Sequence, residues 1–448
     1  MLTARSSTLA AKAVPASVRL VPTAIESSSA ATATPPTTAR CRTQSAGAYA
    51  CYQPSQLRVA YDVGPLYAKG IEGQHETIAI VDAFGSPTIT SDLRAFDTAF
   101  GLPAPPSLKI IQPAGTVPAY RPSGRDRVGW AAETSLDVEW AHALAPKASI
   151  LLVETPTDEV EGTSGFPDIV KAENYVVAHK LASVISQSFA ATEETFSSVA
   201  QLAPLRSAFI AAQRAGVTVL AGSGDLGATD YESNASTVYP TRVTSWPSSD
   251  PLVTAVGGTK LDLNAAGHAI APAVAWNDTY EHATPIPSAS GGGHSKFFAR
   301  PGYQRVVAGI AGARRAVPDV SMSAACSGFV EVYQGFAGVV PGWHLMCGTS
   351  EATPLFAAIV ALADQEAGHG LGLLNPALYG LLGTTSSGIV DVTSGNNTVA
   401  FRASATTTVT VKGFNSGRGY DLVSGVGTVN AASFVPALVR EARHLAVG

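Results

Sequence analysis

Ser350 follows Gly348-Thr349 and precedes Glu351-Ala352-Thr353-Pro354 and an apolar run over 355–363. A serine that opens a helix has its hydroxyl near the positive end of the helix dipole, where a nucleophile is favoured. A proline is tolerated in the first turn of such a helix. The same pattern is also an ordinary helix N-cap, so alone it decides nothing. A second group of candidates is acidic. Residues 131–144 read as a helix ended by Ala145-Pro146, with Glu133 and Asp137 four apart and hence on one face. Carboxylates so placed repel unless they share a proton or meet a cation. They are either two solvated acids on a surface helix or a coupled pair. The apolar neighbours Ala132 and Leu136, with no lysine or arginine on that face, speak against the first.

The elements that must hold these groups are legible as apolar runs. Residues 77–85, 148–153, 183–188 and 216–221 are apolar, as strands buried on both faces are, and helical patterns such as 196–215 lie between them. Strands alternating with helices predict an α/β fold, a parallel sheet covered on both faces, with functional residues beyond the carboxyl ends of the strands. Asp82 and Asp225 follow strands in that way. From about residue 245 the chain turns to loops rich in Gly, Ser and Pro with short strands, and the alternation at 399–402 and 408–411 predicts exposed β structure.

Composition narrows the classes of function. Charged residues make up 14% of the 448 residues and the formal net charge is -5. No basic run interleaves with aromatics, so nucleic acid is not the expected partner. A surface polar without being charged keeps its character when carboxylates protonate, which suits an acidic medium. No stretch reaches the 18 apolar residues of a membrane span, so no membrane partner is expected. The four cysteines form two close pairs, Cys41 with Cys51 and Cys326 with Cys347, without the spacing of a zinc site. Two local disulfides in an exported protein are expected, although the amino terminus carries no convincing secretory signal. Residues 1–51, rich in Ala, Ser, Thr and Pro, read as a disordered leader, and 52–448 as one domain.

The order Glu133-Thr134-Ser135-Leu136-Asp137, then Ser223-Gly224-Asp225, then Gly348-Thr349-Ser350 with Pro354 resembles the sedolisin family of serine-carboxyl peptidases. Similar stretches are 77–87, 255–259, Gly291-Gly292-Gly293-His294-Ser295, Pro301-Gly302-Tyr303-Gln304 and Pro318-Asp319-Val320-Ser321. The resemblance covers about residues 52–435. It implies a subtilisin-like α/β fold, with a parallel central sheet and helices on both faces. It also implies Ser350 as nucleophile, Glu133 as general base, Asp137 orienting Glu133 and sharing its proton, and Asp225 facing the oxyanion. Polypeptides would be the substrates and a monomer the expected state. A glutamate of pKa about 4.3 remains partly a base in acid, where a histidine of about 6.5 is protonated. Asp225 can donate to a tetrahedral oxyanion only when protonated.

The resemblance also implies a structural Ca²⁺ in a C-terminal segment. Asp391 and Asp421 would give side-chain oxygens, Val392, Gly417 and Gly419 backbone carbonyls, and water would complete a shell of about six oxygens. The likeness departs at the front, where many members carry a long folded prosegment and only the low-complexity stretch precedes Tyr52; either the chain belongs to a branch without one or its start is incomplete, and the need for self-cleavage stays open. Two rival readings are a catalytically silent, calcium-stabilised binding module and a neutral, histidine-dependent subtilase. Neither accounts for the acids: none of the nine histidines lies in a motif such an enzyme needs. Asp82, at the end of the first strand where a subtilisin-like enzyme holds its acid, is read as a group that either supports the site residues or is structural, and Asp319 as a turn residue.

Overall fold

The computed structural model describes residues 25–26, 34–281, 285–404 and 406–447. Its central sheet holds seven parallel strands: β1 (Thr77–Ala83), β2 (Leu108–Ile111), β3 (Ser149–Thr155), β4 (Val184–Gln187), β5 (Thr218–Gly222), β6 (Thr254–Lys260) and β7 (Val320–Ser323). Their order is β6-β5-β4-β1-β3-β2, with β7 beside β6 and the short strand Val274–Ala275 antiparallel on β6. The four apolar runs of the sequence are thus β1, β3, β4 and β5.

Alternation along the strands sorts the helices onto two faces. Ile78 and Ile80 of β1 and Ile150 and Leu152 of β3 enter one core with helices α1 (Arg125–Leu144), α4 (Thr349–Ala367) and α5 (Ala431–Val447). Ala79, Val81, Leu151 and Val153 enter the other, under α2 (Phe166–Ala178) and α3 (Ser207–Ala215). The fold is therefore the expected α/β sheet with both faces covered. Parity has a consequence for chemistry. Asp82, at the end of β1, shares the side of Ile78 and Ile80 and so faces α1.

Two expectations need correction. The single helical pattern over 196–215 is broken into a short helix Val199–Leu202 and α3. Pro204 between them has no N–H to continue the ladder, although Ala203 itself keeps helical backbone. The leader expected to run unstructured to residue 51 meets ordered chain earlier, in a helix Thr38–Gln44 and a strand Ala50–Tyr52 paired parallel with β8 (Gly328–Gln334). A disulfide, Cys41–Cys51, closes between them, and Arg42 pairs with Asp262 at 2.9 Å. Composition alone overlooked the covalent staple, which reduces the entropy lost on ordering so short a segment. The rest of the leader, 1–24 and 27–33, lies outside the described residues. The second disulfide, Cys326–Cys347, joins the turn before β8 to the residue after β9 (Gly342–Met346). The late alternation forms an antiparallel hairpin of Val399–Arg402 with Thr408–Val411.

Buried acids are unusually frequent. Glu173 on α2 is buried, neither of its carboxyl oxygens has a hydrogen-bond partner, and burial alone pushes its pKa to about 8. The folded state keeps this proton where the unfolded chain, near 4.3, has lost it. Stability therefore falls as pH rises from about 4.3 towards 8, by about 1.4 kcal/mol per unit at most. Glu173→Gln is expected to raise Tm at pH 7 and to leave it nearly unchanged at pH 4, as thermal unfolding at the two pH values would show.

Candidate active site

Apart from the partly buried Ala132, helix α1 is buried from Trp130 to Leu144, so Glu133 and Asp137 are fully enclosed and not solvated acids on a surface helix. It lies beside α4 on one face of the sheet, and α4 packs along it. The Asp137 carboxylate accepts a hydrogen bond from the Ser188 hydroxyl at 3.0 Å. Burial raises its pKa well above the usual range, and the charges of Asp82 and Glu133 raise it further, against the opposing effect of Ser188. Asp82 is pushed up to about 7, chiefly by burial; the Thr134 hydroxyl beside it opposes this, and Glu154, its register partner on β3, adds to it. Glu133, Asp137 and Asp82 thus form a carboxyl cluster inside the protein. Neither Asp82 nor Asp137 is in an ion pair among the described residues.

Ser350 lies in the first turn of α4, fully buried, with Gly348 as N-cap residue at φ 118°. A Cβ at Gly348 would fall 2.6 Å from the Asp225 Oδ2, so glycine lets that carboxyl approach. Asp225 lies just beyond β5, half-buried. Its Oδ1 accepts from both the Thr349 N–H and the Thr349 hydroxyl, each at 2.8 Å. Burial pushes its pKa up to about 7; the two Thr349 donors oppose that shift and Asp230 adds to it. With Oδ1 holding two donors, Oδ2 is the oxygen left to carry the proton.

Pro354 sits deeper than the expected first turn, because the helix begins at Thr349. A helix bonds each N–H to the carbonyl four residues back, so Pro354 leaves the Ser350 carbonyl without its helical donor. The Ser188 hydroxyl lies 3.5 Å from that oxygen. Ser188 therefore stands between Asp137 and the backbone of Ser350, connecting the acid helix to the serine helix.

The C-terminal segment also comes together. Asp391 accepts from the Gly419 N–H at 2.9 Å, and Asp421 from the Gly417 N–H at 3.0 Å and the Val423 N–H at 2.9 Å. Burial raises Asp421, with the N–H groups of Ser424, Gly417 and Val423 opposing. Val392 is buried against Ala275 and Val423. No cluster of three or more His, Cys, Asp or Glu side chains able to hold a metal occurs among the described residues. The expected set has only two such side chains, its other oxygens being backbone carbonyls. Neither carboxylate has a cationic partner among the described residues, so the segment fits a hard, oxygen-seeking cation.

No protein-family model matches the chain. It is 33% identical over 410 residues to kumamolisin of Bacillus sp. strain MN-32, a match spanning 90% of this chain and 66% of that protein. Sedolisin of Pseudomonas sp. strain 101 is 28% identical over 397 residues, 87% of this chain and 62% of that protein. The solved structure of Pseudomonas sedolisin, a serine-carboxyl proteinase complexed with two molecules of pseudo-iodotyrostatin, superposes with a TM-score of 0.70 at 26% identity, covering 86% of this chain and 97% of that one. The chain belongs to the sedolisin family. It has the family's subtilisin-like fold, and it spans about two thirds or less of the length of these curated relatives.

In this sedolisin-family chain the four residues singled out in sequence occupy α1, the loop after β5 and the start of α4. Sequence reasoning missed Ser188. The signal was present: Ser188 is the first residue past β4, as Asp225 lies past β5. Glu351, also missed, is buried beside Ser350, its carboxyl raised well above the usual range by burial and, less, by Asp225. Two histidines considered in the sequence have other partners: His142 contacts the Pro103 carbonyl at 2.8 Å and Asp97 at 3.2 Å, and the His344 ring faces the Val340 carbonyl at 2.9 Å. Asp319, read as a turn residue, lies at the bend between the strands Arg314–Val317 and Val320–Ser323 and is buried there in a bidentate pair with Arg315.

Proposed function

We propose that the chain is an exported, acid-acting serine-carboxyl endopeptidase. The observation that carries this reading is the buried carboxyl cluster of α1, joined through Ser188 to the helix that presents Ser350. Ser350 Oγ attacks the scissile carbonyl carbon while its proton passes to Glu133. Asp137 shares that proton and keeps Glu133 oriented. Protonated Asp225 donates from Oδ2 to the developing oxyanion. Collapse of the tetrahedral intermediate breaks the C–N bond, and Glu133 returns its proton to the leaving amine. A water deprotonated by Glu133 then attacks the acyl-enzyme, Ser350 leaves with the proton, and the carboxylic acid product departs.

Two disulfides support an oxidising compartment, and no helix among the described residues is long and apolar enough to cross a membrane. Digestion of an unfolded protein at acid pH, with fragments identified by mass, tests the reading. Internal cleavage is expected; no cleavage would favour the silent binding module.

In the same reading Asp391, Val392, Gly417, Gly419 and Asp421 hold a structural Ca²⁺, which would neutralise the two carboxylates and fix the 417–421 turn. Chelation with EGTA is expected to lower Tm on the order of 5 °C, and Asp391→Asn to lose that response. A parent Tm indifferent to the chelator would contradict the site.

A further inference from the structure

A cavity of about 510 Å³ opens near the start of α1, and its wall includes Phe84, Pro118, Arg121, Gly124, Asp126 and Arg127. Two connections tie it to the catalytic edge of the sheet. Phe84 lies two residues past Asp82, just beyond β1, and its N–H donates to the carbonyl of Thr155 at the end of β3 at 3.0 Å. Arg127 stands six residues before Glu133 on α1, a rise of about 9 Å. That is the length of about three residues of extended chain, so the cavity is within reach of a side chain a few residues along a peptide bound at Ser350.

The wall is held in shape and its charges do not cancel. Phe84 has φ 63°, a left-handed backbone that a bulky residue rarely takes and that gathers at functional sites. The Arg127 guanidinium sits over the Phe84 ring, 3.8 Å from its centroid, and its Nη1 donates to the Pro118 carbonyl at 2.7 Å. That leaves Nε and Nη2 of Arg127 without a hydrogen-bond partner among the described residues. The Tyr120 hydroxyl pins the loop to the Ala337 carbonyl, in the turn between β8 and β9. Arg121, exposed at the rim, makes no side-chain hydrogen bond or ion pair among the described residues. Two guanidinium groups therefore share the wall with one carboxylate, Asp126, and one positive charge is in excess. A guanidinium stays charged throughout the acid range and grips a carboxylate in a fork; it also lowers the pKa of the acid it holds. We infer that this cavity is a specificity subsite for an acidic side chain of the substrate, an aspartate or glutamate carboxylate held by Arg121 and Arg127 beside the Phe84 ring. The subsite rests on the peptidase reading and gives it a preferred substrate class, peptides with an acid within a few residues of the scissile bond.

The test is kcat/KM at about pH 5 for a neutral peptide cleaved at one bond, with a single glutamate placed in turn at each of about four positions on either side, and glutamine at the same positions as control. At one position glutamate is expected to be favoured about fivefold or more, and the ratio to fall towards one at about pH 3, where the free side chain is protonated. Arg121→Gln and Arg127→Gln are each expected to bring the ratio below about twofold. Fluorescence anisotropy of labelled hexaglutamate and hexaglutamine on the Ser350→Ala chain at about pH 6, where ordinary carboxylates are ionised, reads the subsite without the chemistry. Hexaglutamate is expected to bind about fivefold or more tighter, and adding Arg121→Gln to remove the difference. Cleavage of the neutral peptide with no position favouring glutamate, or a preference unchanged in both arginine variants, would overturn the subsite and leave the peptidase reading standing. A chain that cleaves no peptide would remove the peptidase reading, and equal binding of the two hexapeptides would then overturn the subsite as well.

Discussion

Ser350→Ala lowers kcat for peptide hydrolysis by about 10⁴ to 10⁶-fold if the hydroxyl at the start of α4 is the nucleophile. The change removes one oxygen from a fully buried position and leaves the Thr349 bonds to Asp225 intact, since those are made by Thr349 itself. The fold and the oxyanion side of the site should therefore persist, with Tm within a few degrees of the parent. That separation of activity from stability is what the measurement looks for. Steady-state rates on an unfolded protein, paired with a thermal melt, supply both numbers. A folded Ser350→Ala chain retaining a hundredth or more of the parent rate would mean that another group attacks the carbonyl.

Glu133→Ala has the second largest expected effect, a loss of about 10³ to 10⁴-fold in kcat, the range over which general base catalysis acts. Glu133 is itself fully buried, and a water molecule in its place is a far weaker base. If Ser350 and Glu133 act as a unit, the double variant should be little worse than Ser350→Ala alone. Glu133→Gln, nearly isosteric, separates lost basicity from a cavity and should be as inactive as the alanine variant while melting closer to the parent. A rate in either variant close to the parent's would remove Glu133 from the mechanism.

Much of this arrangement was legible from residue order. The runs of β1, β3, β4 and β5 are apolar because both of their faces are covered, and that burial made them visible. The Glu133 and Asp137 spacing placed both acids on one helix face, and both lie, buried, on α1. What local pattern could not show was depth and partnership. Whether the acids of α1 were solvated depended on α4, more than 200 residues away, packing against it. Asp82 was visible only as an acid at a strand end; the parity of β1 turns it towards α1 and its register sets it opposite Glu154. Pro354 read as a tolerated helix-start residue, whereas its missing N–H falls opposite the Ser350 carbonyl. The ordered segment before residue 52 was hidden by a composition that ordinarily stays unfolded, and only the Cys41–Cys51 bond and the pairing with β8 overcome that tendency.

The central claim, that a carboxyl set and not a histidine runs the chemistry, is tested most directly by kcat/KM for an unfolded protein substrate from pH 2 to 8. Asp225 keeps its proton below its raised pKa of about 7, so its donor is present in acid and is lost as pH rises through that value, leaving a negative charge facing the oxyanion. The rate is expected to be greatest in acid and to fall towards neutral. In Asp225→Asn, whose amide donates at every pH, the fall near 7 should be absent, whatever the height of the profile. A parent rate that peaks at or above pH 7 would contradict the account.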